Sequence, residues 1–123
     1  MKFKAVIPIL GFENIKEYEL EEVEEGFFRL KSDEVMFSLI NPFLFVKDYD
    51  FEIDDETQQK LQIDENSKIL VLNILTVDKK FENSLVNLAA PIILNLDKQL
   101  LAQFVIRDGK YPLSIPLKEL IKD

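Results

Sequence analysis

The chain has 123 residues, of which 47% are hydrophobic and 11% aromatic, a composition typical of a globular protein with one hydrophobic core. It carries 23 acidic against 15 basic side chains, and this formal charge of −8 disfavours direct binding to a phosphate backbone. The sequence contains neither cysteine nor histidine, which excludes disulfides, thiolate metal sites and the usual proton shuttle. We predict a single domain over residues 1–123.

The first predicted element is a strand near the N-terminus. Residues 2–7 begin with alternating polar and apolar side chains, as in a strand with one solvated face, and Pro8 suits its edge or end. The apolar run stops at Leu10, which is too short to cross a membrane, and it lacks the cleavage site of a signal peptide. We therefore expect a cytoplasmic protein that binds no membrane.

An acidic segment follows over residues 13–25, with seven acids and one lysine. We predict a short helical turn after Phe12 and then an exposed strand near Tyr18. A solvated helix over the whole segment is the alternative.

Two turns then separate two predicted strands. Residues 24–26 (EEG) predict a hairpin turn into a strand over 27–30, and residues 32–34 predict a second turn into a strand over 35–40. We expect these strands to pair in antiparallel fashion.

Residues 48–54 alternate between acidic and apolar side chains, which predicts a strand with its carboxylates on one face. A calcium-binding loop counted from Asp48 would need glycine and glutamate where Ile53 and Gln59 stand, so we interpret these acids as a solvated face. Asp55 is the predicted cap of a short helix over residues 57–61.

The most apolar stretch lies over residues 68–77 and predicts a central strand that is buried on both faces. Two further strands are predicted over 92–96 and 100–106. The pair Asp108-Gly109 predicts a hairpin that joins the second of them to Tyr111.

A turn of helix is predicted at the C-terminus, over residues 116–122. Short strands at close spacing, separated by turns, favour a closed or layered sheet over alternating strands and helices. The predicted fold class is all-β, a small antiparallel β-barrel or sandwich-like single domain with one or two short helical turns.

The residues that could carry chemistry form no recognisable catalytic set. Three isolated glycines (Gly11, Gly26 and Gly109) are too few for a phosphate-binding loop. A small carboxylate-based enzyme or a metal-binding β domain stays as the alternative function, and a concave pocket with two convergent acids would reveal it. No cofactor is predicted.

Two other features leave two interpretations open. Phe43 follows Pro42 in a predicted loop, where it serves either the core or a recognition surface. Asn87 and Asn95 flank an apolar stretch, where they are either buried amides that fix backbone turns or contacts to a partner.

Several motifs follow one another over nearly the whole chain: ILGFE at 9–13, NPFLFVKDYDF at 41–51, ILTV at 74–77, SLVNLAAPIILN at 84–95, then Gln103 and Tyr111. Together they resemble the IPGFE, proline-aromatic-DYE, ILTV, TxNLxAPIxxN and QxVL elements, and the tyrosine after them, of the flagellar assembly factor FliW family. Leu10 stands where proline is usual, and Leu85 where threonine is usual.

This resemblance implies a small β-barrel-like fold and a partner-switching role without catalysis. FliW proteins bind flagellin, and they bind the RNA-binding regulator CsrA, which represses translation of flagellin mRNA. While the FliW protein holds CsrA, flagellin is made. Unsecreted flagellin then occupies the FliW protein and releases CsrA. Direct binding to nucleic acid is not expected.

The residues themselves add two candidate surfaces. An acidic protein docked on CsrA would repel incoming phosphate and would associate faster with a basic surface. We predict that this acidic surface consists of Asp48, Asp50, Glu52 and Asp54 with Glu21, Glu22, Glu24 and Glu25. For flagellin, whose termini are amphipathic segments that fold on assembly, we predict a mixed patch at Phe43, Leu44 and Asn87.

Overall fold

The computed structural model describes residues 1–121, and these contain nine strands and two short α-helices. Two 3₁₀ turns, Pro42–Leu44 and Phe81–Asn83, lie between them. The elements are β1 (Lys2–Ile7), β2 (Glu17–Glu24), β3 (Phe27–Lys31), β4 (Met36–Ile40), α1 (Asp55–Lys60), β5 (Ile69–Thr76), β6 (Leu85–Val86), β7 (Ile92–Asn95), β8 (Leu100–Gln103), β9 (Ile115–Pro116) and α2 (Leu117–Leu120). The predicted all-β class is confirmed.

Seven strands close into a barrel in the order β4-β3-β2-β1-β8-β7-β5, and β5 pairs back onto β4. Residues 69–72 of β5 pair with β7, residues 75–76 pair with β6, and β6 in turn pairs with β9. Within the described residues every pairing is antiparallel except that of β1 with β8, where Lys4 lies opposite Leu100 in a parallel register. The barrel is therefore closed by strands from distant parts of the sequence.

The acidic segment forms β2, so the strand interpretation is confirmed and the solvated helix is wrong. Tyr18 lies opposite Phe3 of β1 and points into the core, where only 2% of its surface is exposed. Glu22 pairs with Phe28 and Glu24 pairs with Phe27, which leaves Val23 as the extra residue of a β-bulge.

The barrel interior is filled by apolar side chains from successive strands, among them the fully buried Leu30, Leu39, Leu72, Leu94 and Leu101. A second cluster lies on the opposite face of β4 and β5 and includes Ile40, Leu75, Tyr49 and Leu117. Because β5 contributes to both clusters, the prediction of a central strand buried on both faces is confirmed.

The predicted strand over 48–54 is wrong. Burial does alternate there, since Tyr49 is buried and Asp50 is exposed, but the segment pairs with no strand among the described residues. It runs as an extended loop held by side chains. Helix α1 begins after Asp54, whose Oδ1 accepts a hydrogen bond from Thr57 N at 2.8 Å, so Asp54 rather than Asp55 is its cap.

The predicted hairpin at Asp108-Gly109 is also wrong. Strand β8 ends at Gln103, and the chain beyond it bonds to the 89–91 loop, with Phe104 N donating to Pro91 O and Ile106 N to Ala89 O. The predicted C-terminal helical turn is present as α2, although Lys122 lies outside the described residues. Over residues 1–121 no helix is long and apolar enough to cross a membrane.

Candidate functional site

Phe43 and Leu44 lie on the Pro42–Leu44 turn and are half exposed, with 48% and 47% of their surfaces open to solvent. The turn is fixed at its start, because Asn41 Oδ1 accepts a hydrogen bond from Phe43 N at 3.0 Å and Pro42 presets the backbone. The loop position predicted for Phe43 is thus confirmed. The two side chains form an exposed apolar pair on a rigid support.

This apolar pair is attached to the β2–β3 hairpin. Asn41 N donates to Gly26 O at 2.8 Å, and Leu44 lies so close to Gly26 that a β-carbon there would be 2.0 Å from Leu44 Cδ1. Glu24 and Glu25 immediately precede Gly26 and are exposed. The structure therefore places part of the predicted acidic surface next to part of the predicted flagellin patch.

Behind Phe43, a chain of buried polar groups leads to Asn87. The Phe43 and Tyr49 ring centroids are 5.9 Å apart. The Tyr49 hydroxyl donates to Leu88 O at 2.5 Å and accepts from Asn73 Nδ2, which also donates to Asn87 O at 2.7 Å. Burial raises the pKa of Tyr49 to about 12. Phe43 and Asn87 are therefore connected through Tyr49 and Asn73.

Both flanking asparagines fix backbone turns. Asn87 Oδ1 accepts hydrogen bonds from the N–H groups of Ala89 and Ala90, and Asn95 Oδ1 accepts from the N–H groups two and three positions after it. Asn95 Nδ2 also donates to Leu61 O at 2.8 Å. Of the two interpretations, the amide that fixes a turn is correct for both residues. A contact between Asn87 and a partner stays a prediction.

The four acids of the hairpin are not equivalent. Glu21, Glu22, Glu24 and Glu25 are all exposed, and Glu21 Oε1 lies 3.8 Å from Arg29 Nη1 on the paired strand. An exposed ion pair of this kind is weak but reduces the local net charge. The acidic character of the hairpin therefore resides mainly in Glu22, Glu24 and Glu25.

The acids of the 48–54 loop are oriented by a tyrosine that the sequence analysis did not assign to the site. The Tyr111 hydroxyl accepts a hydrogen bond from Asp50 N at 2.8 Å and lies 3.1 Å from Asp50 O. Its ring packs edge-on against Tyr49 at 4.7 Å. With the backbone held on this side, the side chains of Asp48, Asp50 and Glu52 are exposed. The only sequence signal for Tyr111 was its place in the family motif.

Asp54 differs from these three acids because it caps α1. Its side-chain hydrogen bond from Thr57 lowers the pKa of the carboxyl, and the backbone of Thr57 acts in the same direction. The carboxylate therefore has a structural role that is separate from any contact with a partner.

The metal alternative gains no support from the described residues, and the carboxyls with shifted pKa values do not favour the enzyme alternative. Across residues 1–121 no group of three or more acidic side chains is arranged to hold a metal ion. The pKa shifts found for carboxyls are downward, at Asp54 and at Glu19, which is hydrogen-bonded to the terminal amine. A general acid at neutral pH requires an upward shift.

Three comparisons with known proteins agree with one another. The family model described as "FliW protein" matches residues 2–117. A flagellar assembly factor FliW of Sulfurimonas denitrificans is 46% identical over 112 residues, covering 89% of this chain and 88% of that protein. One from Clostridioides difficile is 36% identical over 122 residues, covering 95% and 94%.

A solved structure shows the same fold. The crystal structure of a flagellar assembly factor FliW superposes with a TM-score of 0.87 at 31% identity, covering 94% of this chain and 84% of that one. The sequence matches and the structural match each extend over most of both chains. The chain therefore belongs to the FliW family of flagellar assembly factors.

Proposed function

We propose that this flagellar assembly factor acts as a single-domain partner switch in the cytoplasm, binding flagellin and the translational regulator CsrA and antagonising CsrA repression of flagellin mRNA. It catalyses no reaction and binds neither nucleic acid nor membrane directly. The observation that carries the proposal is 46% identity to a flagellar assembly factor over 89% of the chain.

The exposed apolar pair supports a flagellin contact. Phe43 and Leu44 present nearly half of their surfaces to water on a turn that Asn41 and Pro42 hold in place. Aromatic side chains on rigid supports are enriched at the centre of protein interfaces, because little conformational entropy is lost when they bind. In this proposal Asn87 adds polar contacts at the edge of the patch and keeps its role in the 87–90 turn.

The exposed carboxylates support a contact with a basic partner. Glu22, Glu24 and Glu25 project from the hairpin, and Asp48, Asp50 and Glu52 project from the loop after the Pro42–Leu44 turn. Charges of one sign on a small protein steer a basic partner toward it and repel phosphate from the complex. Glu21 and Asp54 belong to the same surface, but each also serves an internal contact, with Arg29 and Thr57 respectively.

Calorimetric titration tests the switch directly. The protein is titrated with CsrA and with flagellin separately, and then with each in the presence of the other. We expect binding to both partners and a reciprocal weakening, since linkage requires each partner to reduce the affinity for the other by the same factor. Absence of binding to either partner would refute the proposed function and leave only membership of the family.

A further inference from the structure

A groove of about 420 Å³ crosses the outer face of β3, β4 and β5, away from the barrel interior. Its lining is mainly apolar and includes Val23, Phe27, Leu75, Val77 and Phe81. Three of these side chains are unusually exposed for their type, with Val23 at 44%, Val77 at 58% and Phe81 at 47%. The groove is separate from the exposed apolar pair at Phe43 and Leu44.

The walls of the groove are built into the fold. The β-bulge in β2 adds Val23 to one wall, as bulges commonly re-aim a side chain. Phe81 forms the other wall from the Phe81–Asn83 turn, and its ring packs against Phe27 at 5.6 Å. That turn is anchored by the buried Ser84, whose hydroxyl accepts from Asp78 N at 2.9 Å. The groove is thus formed before any partner arrives.

Where the groove crosses β3 and β4, the backbone is already paired on both sides. β3 pairs with β2 and β4, and residues 38–40 of β4 pair with both β3 and β5. An added extended peptide would find no ladder to join, so a partner must bind here through its side chains. An amphipathic helix satisfies this condition, because its own backbone hydrogen bonds are internal.

The charges around the groove are asymmetric. Glu24 lines the hairpin wall, and Glu22 and Glu25 lie on the same hairpin. Arg29 also lines the groove, but its positive charge is offset by Glu21, with which it forms an ion pair. The opposite wall, residues 78–82, is close to neutral because its exposed charges are two acids and two lysines: Asp78, Glu82, Lys79 and Lys80. A helix that fits both features carries its basic residues on the flank that faces the hairpin.

We propose that this groove binds an amphipathic helix of a partner protein, with its apolar stripe against Val23, Val77 and Phe81 and its basic flank beside Glu24. The stripe would consist of residues spaced at i, i+3 or i+4, and i+7. This inference goes beyond the proposed function, and it does not depend on which partner carries the helix.

Amide NMR spectra of the full chain, titrated with two synthetic helical peptides, test it. Both peptides have the same leucine stripe over about five turns, and one has lysines and the other glutamates along one flank. We expect the lysine peptide to shift the signals of Val23, Ser38, Val77 and Phe81, and to bind at least ~10-fold more tightly than the glutamate peptide. Glu24→Lys should reduce or reverse this preference.

Phe81→Ser should weaken the lysine peptide by ~10-fold or more, and the less disruptive Val77→Ser should act in the same direction. Leu113→Ser is the matched control, because Leu113 is 70% exposed and does not line the groove, and it should change nothing. Unchanged distant amide signals verify that each variant is folded. The proposal would be overturned by shifts that map to Phe43 and Leu44, or by equal binding of both peptides. Groove shifts that appear only with rising protein concentration would also overturn it, because they would assign the groove to a second copy of the chain.

Discussion

Leu44 packs over Gly26 so closely that the hairpin turn has no space for a β-carbon, which would be 2.0 Å from Leu44 Cδ1. Gly26 also has a φ of +85°, a conformation that costs other residues about 1–2 kcal/mol. The backbone conformation therefore selects glycine here, and any other residue would also force the Leu44 side chain to move. The contact packs the acidic hairpin against the turn that carries the exposed apolar pair, so the two predicted surfaces meet at Gly26 and Leu44.

Gly26→Ala should lower the free energy of unfolding by more than Gly11→Ala in urea denaturation. Gly11 has a similar φ of +89° but open space around it, so it carries only the backbone cost of about 1–2 kcal/mol. The excess at Gly26 should shrink when Leu44→Ala removes the clash. Equal losses for the two single variants would show that the Leu44 side chain moves aside freely and that its contact with Gly26 does not hold the hairpin in place.

Tyr49→Phe should be destabilising by about 1–3 kcal/mol, because it leaves Leu88 O without the hydroxyl that donates to it in a buried position. The same variant should change the response to alkaline pH. The folded protein holds the Tyr49 proton up to a pKa of about 12, whereas the unfolded chain releases it near 10.

Because the folded state binds the proton more tightly, the contribution of Tyr49 is complete below pH 10 and is lost as the pH rises toward 12. The slope is roughly −1.4 kcal/mol per pH unit in that window. Urea denaturation of the wild type and of Tyr49→Phe at several pH values measures it by difference. Parallel curves for the two proteins would contradict the assignment.

Asn87→Ala should lower the free energy of unfolding by about 1–3 kcal/mol, since the N–H group of Ala90 loses its acceptor and that of Ala89 keeps only Pro112 O. Asn87→Asp keeps an acceptor oxygen in place and should be closer to wild type. This pair separates the turn from the partner contact. If flagellin binding falls in Asn87→Asp while stability does not, the proposed contact is real. Unchanged affinity in this variant would remove Asn87 from the patch.

Phe43→Ala and Leu44→Ala should each weaken flagellin binding by about 1–2 kcal/mol, or roughly ten-fold, with little loss of stability because both side chains are half exposed. Leu113→Ala is the matched control for removing an exposed leucine. Calorimetric titration gives the affinities. Flagellin affinity that survives both substitutions at the Pro42–Leu44 turn would exclude this pair as its contact.

Reversing the charge of Glu22, Glu24 and Glu25 to lysine should slow association with CsrA, and the difference from wild type should diminish as salt is added. The same change at Asp48, Asp50 and Glu52 tests the loop separately. Asp54→Asn tests the remaining acid of the loop without loss of α1, because asparagine also caps helices while it removes the charge. Association rates that show no dependence on these charges would exclude electrostatic steering.

Strands with a strong local signal were predictable from the sequence. Residues 68–77 are apolar on both faces, and the glycine at 26 marks a turn between two periodic segments, so β5 and the β2–β3 hairpin followed directly. The parallel pairing of β1 with β8 was not predictable, because it depends on contacts between segments nearly one hundred residues apart. Barrel closure depends on pairings across the whole chain, and no short segment of the sequence reveals it.

The site was less predictable than the fold. The alternation over 48–54 correctly indicated which side chains are buried, but the partner of that segment is the Tyr111 hydroxyl rather than a strand. Single hydrogen bonds between distant residues leave no periodic pattern in the sequence. For the same reason the close contact of Leu44 with Gly26 was not predicted, although both residues lay in segments already singled out.

The parallel closure has a consequence for how the chain folds. β1 can form its ladder with β2 at once, but its other edge waits for β8, whose first residue is Leu100. Any sheet that the early strands form before β8 is made therefore has an unpaired edge at β1, and sheets with such edges associate with one another. The barrel can close only after β7 and β8 have been made, so slow translation late in the message would prolong the period of greatest risk of aggregation.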